Sequence, residues 1–298
     1  MNTDDVIGVL GATSHVGLAL LSLLETQRLK VFAFSRQVDQ PDFKPITDAH
    51  LTTSCAWKPA ESIDSLCQLQ RIPYWISLAP IRVLPDYFSA IEQSGAQRIV
   101  VLSSTSRFTK HYSSDPADQA LAQSFIDLEA TVQSWAESKG IECVILRPTL
   151  IYGLGKDKNI CEIIHLIRRF GFFPLFGESR GLRQPVHCQD VAQACIAALQ
   201  SAGAANRSYN LSGAERLSYR TMVERIFAAL QRKPRFFHVP MPLFQVAVTL
   251  LRLFPRYRNW SFSMVERMNQ DMVFEHLEAA RDLQFTPRAF ELTPEDLP

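Results

Sequence analysis

Short apolar runs alternate with helical stretches over the first two hundred positions of this 298-residue chain. VIGVLG (6–11) has the unbroken apolar character of a strand buried on both faces. SHVGLALLSLLETQ, directly behind it, repeats its apolar side chains at helical spacing. KVFAFSR (30–36), YWISLA (74–79), RIVVLSS (98–104) and ECVILRP (142–148) read as further strands, with a weaker one at TTSCAWK (52–58). Helical patterns near 60–70, 83–94 and 116–139 separate them. Strands joined through helices need crossover connections, so the pattern predicts an α/β fold: a doubly wound parallel sheet with helices on both faces.

After Pro148 the pattern changes. IYGLGKDKN reads as a loop, 158–171 as a basic amphipathic helix, and GFFPLFGESRGLRQP is rich in Gly, Pro and Phe. VHCQDVAQACIAAL and RSYNLSG predict a helix and a strand that rejoin the sheet. Helices are then expected at 218–232, about 241–254, and 261–283 with a break. The division predicted is a first domain at 1–150, with 181–213 returning to its sheet. A smaller, mainly helical substrate lobe takes 151–180 and 214–298, and a cleft forms where it covers the carboxyl ends of the strands.

Composition narrows the function classes. The net charge is +1 with 20% charged residues, which gives no long-range pull toward nucleic acid or acidic lipid. Neither nucleic-acid binding nor peripheral membrane contact is therefore expected. LFQVAVTLLRLF (243–254) is broken by Gln245 and Arg252 and is too short to span a bilayer. It reads as a packing helix, with a membrane-resting helix as the alternative. The acidic start MNTDDVIG does not read as a secretory signal. Six cysteines without a C-x-x-C pair read as thiols of a reducing compartment, hence a cytoplasmic protein. Cys161 and His165 share a helix face but have no second ligand pair, so no metal is expected.

The candidate chemistry begins at GATSHVG. Gly11 and Gly17 have the outer spacing of G-x-x-G-x-x-G: the first makes the tight turn, the second lets helix and strand pack closely. The helix start would offer amides and a positive dipole to a diphosphate. Ser14 stands where the middle glycine is usual, which costs clearance and adds a hydroxyl. The second strand ends in Ser35–Arg36 rather than in an acid, with Asp39 beyond it. A hydroxyl and a forked guanidinium suit a 2′-phosphate, so NADP(H) is expected ahead of NAD(H).

GATSHVG, VVLSSTS, VILRPTLIYG and QPVHCQDVA, in that order, resemble the extended short-chain dehydrogenase/reductases, the NAD-dependent epimerase/dehydratase group, and especially their atypical branch. The resemblance covers roughly 5–213, and the C-terminal stretch from Met264 also resembles that branch. It implies a Rossmann-like sheet. Thr13, Ser14, His15 and Val16 would line the diphosphate and Ser35–Arg36 the adenosine end. Leu78, Ala79 and Pro80 would pass under the adenine-side ribose and phosphates. Ser103 and Ser104 would flank the nicotinamide ribose, and Pro148–Thr149 would abut the nicotinamide. Thr105 falls at the family's catalytic Ser/Thr, and Arg180 and Arg183 where relatives engage a substrate diphosphate. A small-molecule substrate, with nucleotide-sugars in view, and a homodimer through helices 83–94 and 116–139 follow from the same likeness.

One departure stands out. The family's Tyr-x-x-x-Lys on the long helix maps to Leu121 and Phe125, with Glu129 as an anchor, and neither can carry a proton. Substitutes in reach are Tyr152 after the sixth strand and the loop residues Ser106, Lys110 and Tyr112. Ser106 and Lys110 make an S-x-x-x-K spacing, but on a loop it fixes no shared face. His187 reads as a structural residue ahead of a helix that carries Asp190. Beside a protein that binds no dinucleotide at all, two functions stay open. One is an NAD(P)(H)-dependent oxidoreductase or epimerase with an unconventional proton donor. The other is a catalytically inactive dinucleotide-binding sensor or assembly subunit, of the kind found in respiratory complex I, which the C-terminal half resembles.

Overall fold

The computed structural model describes residues 5–36, 55–110, 113, 115–239 and 268–298. Asp39, Tyr112 and the expected helix at 241–254 lie outside the described residues.

Strand β1 (Val6–Leu10) runs into helix α1 (His15–Thr26), followed by β2 (Lys30–Ser35) and β3 (Cys55–Pro59). Then come α2 (Ile63–Leu69), β4 (Tyr74–Ser77), α3 (Phe88–Gln93), β5 (Arg98–Leu102), the single turn α4 (Ser106–Thr109), α5 (Pro116–Ser138) and β6 (Glu142–Pro148). Helix α7 (Cys188–Gln200) and strand β11 (Ser208–Leu211) complete the layer. The sheet has seven strands in the order β11-β6-β5-β4-β1-β2-β3. Every pairing in it is parallel. The chain winds outward from β1 to β3, then restarts on the other side at β4. The crevice between β1 and β4 is therefore the topological switch point, where open α/β sheets place ligands.

The apolar runs are continuous because both faces are covered. Ile7, Val9, Val100, Val144 and Leu146 meet α1 and α7 on one side. Val6, Leu10, Ile99, Val101, Cys143 and Ile145 meet α2, α3 and α5 on the other. Alternate residues thus enter opposite cores, as the two-residue period of a strand demands.

A third core holds the second lobe. It joins α6 (Lys158–Phe170) and α8 (Tyr219–Ala229) through Ile160, Ile163, Ile164, Ile167, Met222, Val223, Ile226 and Phe227. Short ladders invisible to the hydropathy pattern bind this part together. They are β7 (Ile151–Tyr152) with β10 (Val186–His187), β9 (Leu182–Arg183) with β12 (Leu217–Ser218), and β8 (Phe173–Phe176) with β13 (Phe236–Val239). The break expected within 261–283 falls before α9 (Leu277–Leu283). Ala279, Leu283 and Phe285 of that region pack into the first core with α1 and α7, not into the second lobe's core. Among the described residues no helix is long and apolar enough to cross a membrane.

Candidate functional site

The β1–α1 turn is built mainly from backbone. Gly11 has φ +75°, and a Cβ there would lie 2.6 Å from the amide nitrogen of Ala79. Gly17 is needed for a different reason: its Cβ would meet the Ala12 carbonyl at 2.4 Å. Ser14 caps α1, its Oγ accepting from the Gly17 amide at 3.0 Å. The third amide of the helix is thereby spent, while those of His15 and Val16 have no intrahelical acceptor. The Thr13 and Ser35 hydroxyls meet at 3.2 Å, tying this turn to the end of β2. Arg36 is exposed one residue further on. Leu78 is buried, its amide donating to the Leu10 carbonyl at 2.8 Å, whereas Pro80 is exposed.

A cleft of about 720 Å³ opens beyond the ends of β5 and β6, and of the turn just described only His15 lines it. The first domain lines it with His15, Ser104, Thr105, Ser106, Thr109, Lys110 and Thr149. The second lobe and the C-terminal segment add Lys156, Asp157, Lys158, Asn159, Glu162, Arg183, Gln184, Tyr219 and Phe274. The His15 Nε2 is buried here without a hydrogen-bond partner. Burial pulls the His15 pKa down; Asp157 opposes this and His187 adds to it. The ring is thus held toward its neutral form, with a polar atom presented to whatever enters. An unpartnered ring nitrogen, a donor in its Nε2–H tautomer, beside two helix amides without intrahelical acceptors would suit a diphosphate oxygen, so the residues fit a dinucleotide at this end.

The nicotinamide end is committed internally. Ser103 is buried and its hydroxyl donates to Glu129, which is 1% exposed. Glu129 also accepts from Arg107 and, at 2.7 Å, from Arg147 Nη2. The Thr105 hydroxyl donates to the Pro148 carbonyl at 3.1 Å, and that of Thr149 to the Gln184 carbonyl. Ser104 Oγ accepts from the Ser106 amide at 3.1 Å, which leaves its own proton to donate.

Two expected contributors are placed elsewhere. Tyr152 does not face the cleft. It is fully buried in the second lobe, edge-on to His187 and Phe290, with its hydroxyl 3.4 Å from the carbonyls of Ala289 and Glu291. Burial pushes its phenol well above the ordinary range. Arg180 is exposed beside Glu178 and does not line the cleft, while Arg183 does. Arg183 Nη1 is held by the carbonyls of Leu182 and Gln270, each at 2.8 Å, and its guanidinium lies 5.5 Å from the Tyr219 ring. His187 is structural, as the sequence suggested. Its Nδ1 accepts from the Gln189 amide, so Nε2 carries the proton and donates to Asp296 at 3.1 Å.

On α5, Leu121 is 40% exposed and Phe125 packs against the second sheet-face core. No α5 residue lines the cleft. The loop before α5 departs from expectation in the other direction. Ser106–Thr109 is a helical turn, so Ser106 and Lys110 do share a face, and both line the cleft. Lys110 Nζ pairs with Asp118 Oδ1 at 2.6 Å. Four residues at 106–109 are too few for a hydropathy period, which hid this turn. The side chains of Lys156, Lys158, Asn159, Glu162 and Tyr219 were also missed, because they reach the cleft only through the second lobe's fold. Tyr219, desolvated although Arg183 partly offsets it, is pushed up to about 12. Among the described residues no His, Cys, Asp or Glu cluster could hold a metal ion. Cys161 instead sits 3.7 Å from the Asp157 carboxylate.

Comparison with known proteins agrees with this geometry. Residues 81–212 match the NAD dependent epimerase/dehydratase family. A curated relative from Dictyostelium discoideum, NADH dehydrogenase [ubiquinone] 1 alpha subcomplex subunit 9, mitochondrial, is 22% identical over 91% of this chain and 77% of its own. The protein of the same name from Arabidopsis thaliana is 29% identical over 34% of this chain, a match that spans only 25% of the plant protein. Among solved structures, UDP-glucuronic acid 4-epimerase from Bacillus cereus in complex with NAD superposes with a TM-score of 0.71 at 16% identity, over 96% of this chain and 92% of that one. UDP-glucose 4-epimerase from Thermotoga maritima with UDP-glucose gives 0.68 at 13%, over 98% and 95%. At such identities the structures establish the fold, and the family match adds the resemblance to the extended short-chain dehydrogenase/reductases.

Proposed function

We propose, taking that resemblance to the NAD-dependent epimerase/dehydratase family as the premise, that this chain binds a nicotinamide dinucleotide across the β1–β4 crevice. A small phosphate-bearing ligand of nucleotide-sugar type occupies the cleft beside it. The amides of His15 and Val16, with Thr13 and the His15 ring, hold the diphosphate. Ser35 and Arg36 take the adenosine end and favour NADP(H) over NAD(H). Leu78 to Pro80 pass beneath it, and Ser104, Pro148 and Thr149 border the nicotinamide. When bound, the nicotinamide supplies a hydride donor or acceptor. Lys156, Lys158 and Arg183 give the cleft its attraction for an anionic ligand. The exposed flank of α5 serves a homodimer, and six free thiols suit a reducing compartment such as the cytoplasm.

The observation that carries this reading is the asymmetry of the cleft. The unpartnered His15 ring nitrogen lies at one end, beside the start of α1, while α5 sends no proton-carrying group into the cleft at the other. Binding without the family's tyrosine-mediated proton transfer is therefore the reading the site supports best, in an epimerase-like or oxidoreductase-like protein. Turnover has one specific observation in its favour: Lys110, held by Asp118, stands on the cleft wall with Ser106. Calorimetry with NADPH and NADH tests the first reading, and binding of neither overturns it. Titrating nucleotide-sugars into the loaded protein while following reduced-nicotinamide absorbance separates the two. An unchanged absorbance supports binding alone. A change that Lys110→Met abolishes, without loss of dinucleotide affinity, supports turnover through Lys110.

A further inference from the structure

The end of α6 and the strand pair beyond it carry a face unlike the rest of the surface. Phe170, Phe172 and Phe237 are 54%, 41% and 61% exposed. Their rings are contiguous, with centroids 6.1 Å apart for Phe170–Phe172 and 6.3 Å for Phe172–Phe237. Single exposed apolar residues are ordinary, but three touching phenylalanines are not.

The charges around them share one sign. Arg168 and Arg169 occupy the last turn of α6, and the Arg169 guanidinium lies 5.3 Å from the Phe170 ring. Arg232 Nη1 donates to the Ile167 carbonyl at 2.8 Å, which places the loop leading to β13 against that same turn. Lys233 and Arg235 are exposed in this loop. Along the chain, residues 225–265 hold seven Lys/Arg and no Asp or Glu, which leaves 24 against 30 for all other positions. The near-neutral total therefore conceals a strongly basic stretch of sequence.

We infer that the Phe170–Phe172–Phe237 face, with Arg168, Arg169, Lys233 and Arg235, docks on an anionic lipid bilayer. Aromatic rings enter the headgroup boundary, and the surrounding cations meet lipid phosphates. A second copy of the chain is a poorer occupant, since two such faces would bring like charges together. Single-stranded nucleic acid would match charge and rings. The sequence that follows β13, MPLFQVAVTLLRLF, is suited to hydrocarbon rather than to stacking on bases.

Flotation of the full chain with phosphatidylcholine vesicles, with and without phosphatidylglycerol, tests this. The chain is expected to float only with the anionic vesicles and to be released by salt. A Phe170→Ser/Phe172→Ser/Phe237→Ser variant and an Arg169→Glu/Lys233→Glu/Arg235→Glu variant should each weaken binding at least about tenfold, since each cation near such a surface contributes about fivefold. Unchanged melting temperature and dinucleotide affinity in these variants show that the fold is intact. Equal flotation with neutral vesicles overturns the inference, as does no flotation at all. So does flotation insensitive to either variant in a folded protein. If the variants instead abolish self-association or oligonucleotide binding, the face belongs to that partner and the lipid assignment falls.

Discussion

At the β1–α1 turn the groups proposed to hold the diphosphate are mostly backbone amides, whereas along α5 the groups that the family resemblance assigns to chemistry are side chains. The difference shows why a substitution can leave the turn's geometry in place and yet strip α5 of its proton-carrying groups. Replacing the middle glycine by Ser14 left the path of the chain intact, because Gly11 still supplies the positive φ and Gly17 still lies against Ala12. With Leu121 and Phe125 at the two positions that the resemblance assigns to the proton-transfer pair, the helix persists without any proton-carrying group there. Apolar residues there even help: Phe125 joins the core beneath the sheet. A site made of backbone fails only when the fold fails, and a site made of side chains can vanish from an undisturbed fold.

The sharpest way to break this contrast is Gly11→Val. The left-handed backbone and the 2.6 Å approach to Ala79 leave no room for a branched side chain. The expected cost is roughly 2–5 kcal/mol of stability from left-handed strain and overpacking together. Dinucleotide binding should become undetectable by calorimetry even in the fraction that folds. Retained affinity would show that the turn does not hold the ligand.

Next in size is Glu129→Gln. Its carboxylate serves Ser103, Arg107 and Arg147 at once, and the arginine side chains are 19% and 16% exposed. Breaking a buried pair leaves uncompensated charge, here partly relieved by water, so about 2–4 kcal/mol should be lost in urea unfolding. Dinucleotide affinity should shift by no more than about 0.5 kcal/mol, as for distant sites. A large affinity loss would mean that the committed end of the cleft is a binding site after all.

Sequence reading recovered the sheet, because buried parallel strands are long enough to show their apolar character. It anticipated the β1–α1 turn, because glycine spacing reports directly on backbone geometry. It found the missing Tyr-x-x-x-Lys, since the absence of residue types survives any error of register. It could not find α4, where a single turn brings Ser106 and Lys110 together. Nor could it see that Tyr152 points away: a two-residue strand fixes that direction, and its partner Val186–His187 lies 35 positions further along the chain. Chain-wide net charge also hid a basic segment, because it averaged residues 225–265 against an acidic remainder.

A third test compares a structural side-chain cluster with both ends of the cleft. Burial alone would raise the Asp296 pKa, but bonds from His187, the Thr293 amide and hydroxyl, and the Leu154 amide outweigh it and hold the carboxyl well below its usual range. A carboxyl depressed by folding contributes stability above its unfolded pKa, and this is lost as pH falls below about 4. Urea midpoints followed with pH should therefore drop more steeply in the wild type than in Asp296→Asn, and the gap between the two should close in acid. A constant gap would show that the carboxylate's charge is not what the cluster uses.

The smallest expected effect is the most informative about the turn. Ser14 occupies the Gly17 amide with its own oxygen and still has one hydroxyl proton to give. In Ser14→Gly the cap is lost at a cost of only a few tenths of a kcal/mol, as glycine is a tolerated N-cap. The Gly17 amide is released toward the diphosphate, and an N–H to a charged oxygen is a stronger bond than one to a neutral hydroxyl. Dinucleotide affinity should therefore rise, by about 1 kcal/mol or some fivefold, net of the lost hydroxyl donor. Ser14→Ala separates the two contributions, since it frees the amide but keeps a Cβ in the way. An affinity order of Gly above Ala above Ser assigns the grip to backbone. If Ser binds tightest, its hydroxyl has taken over the missing glycine's place, and even this end of the cleft depends on a side chain.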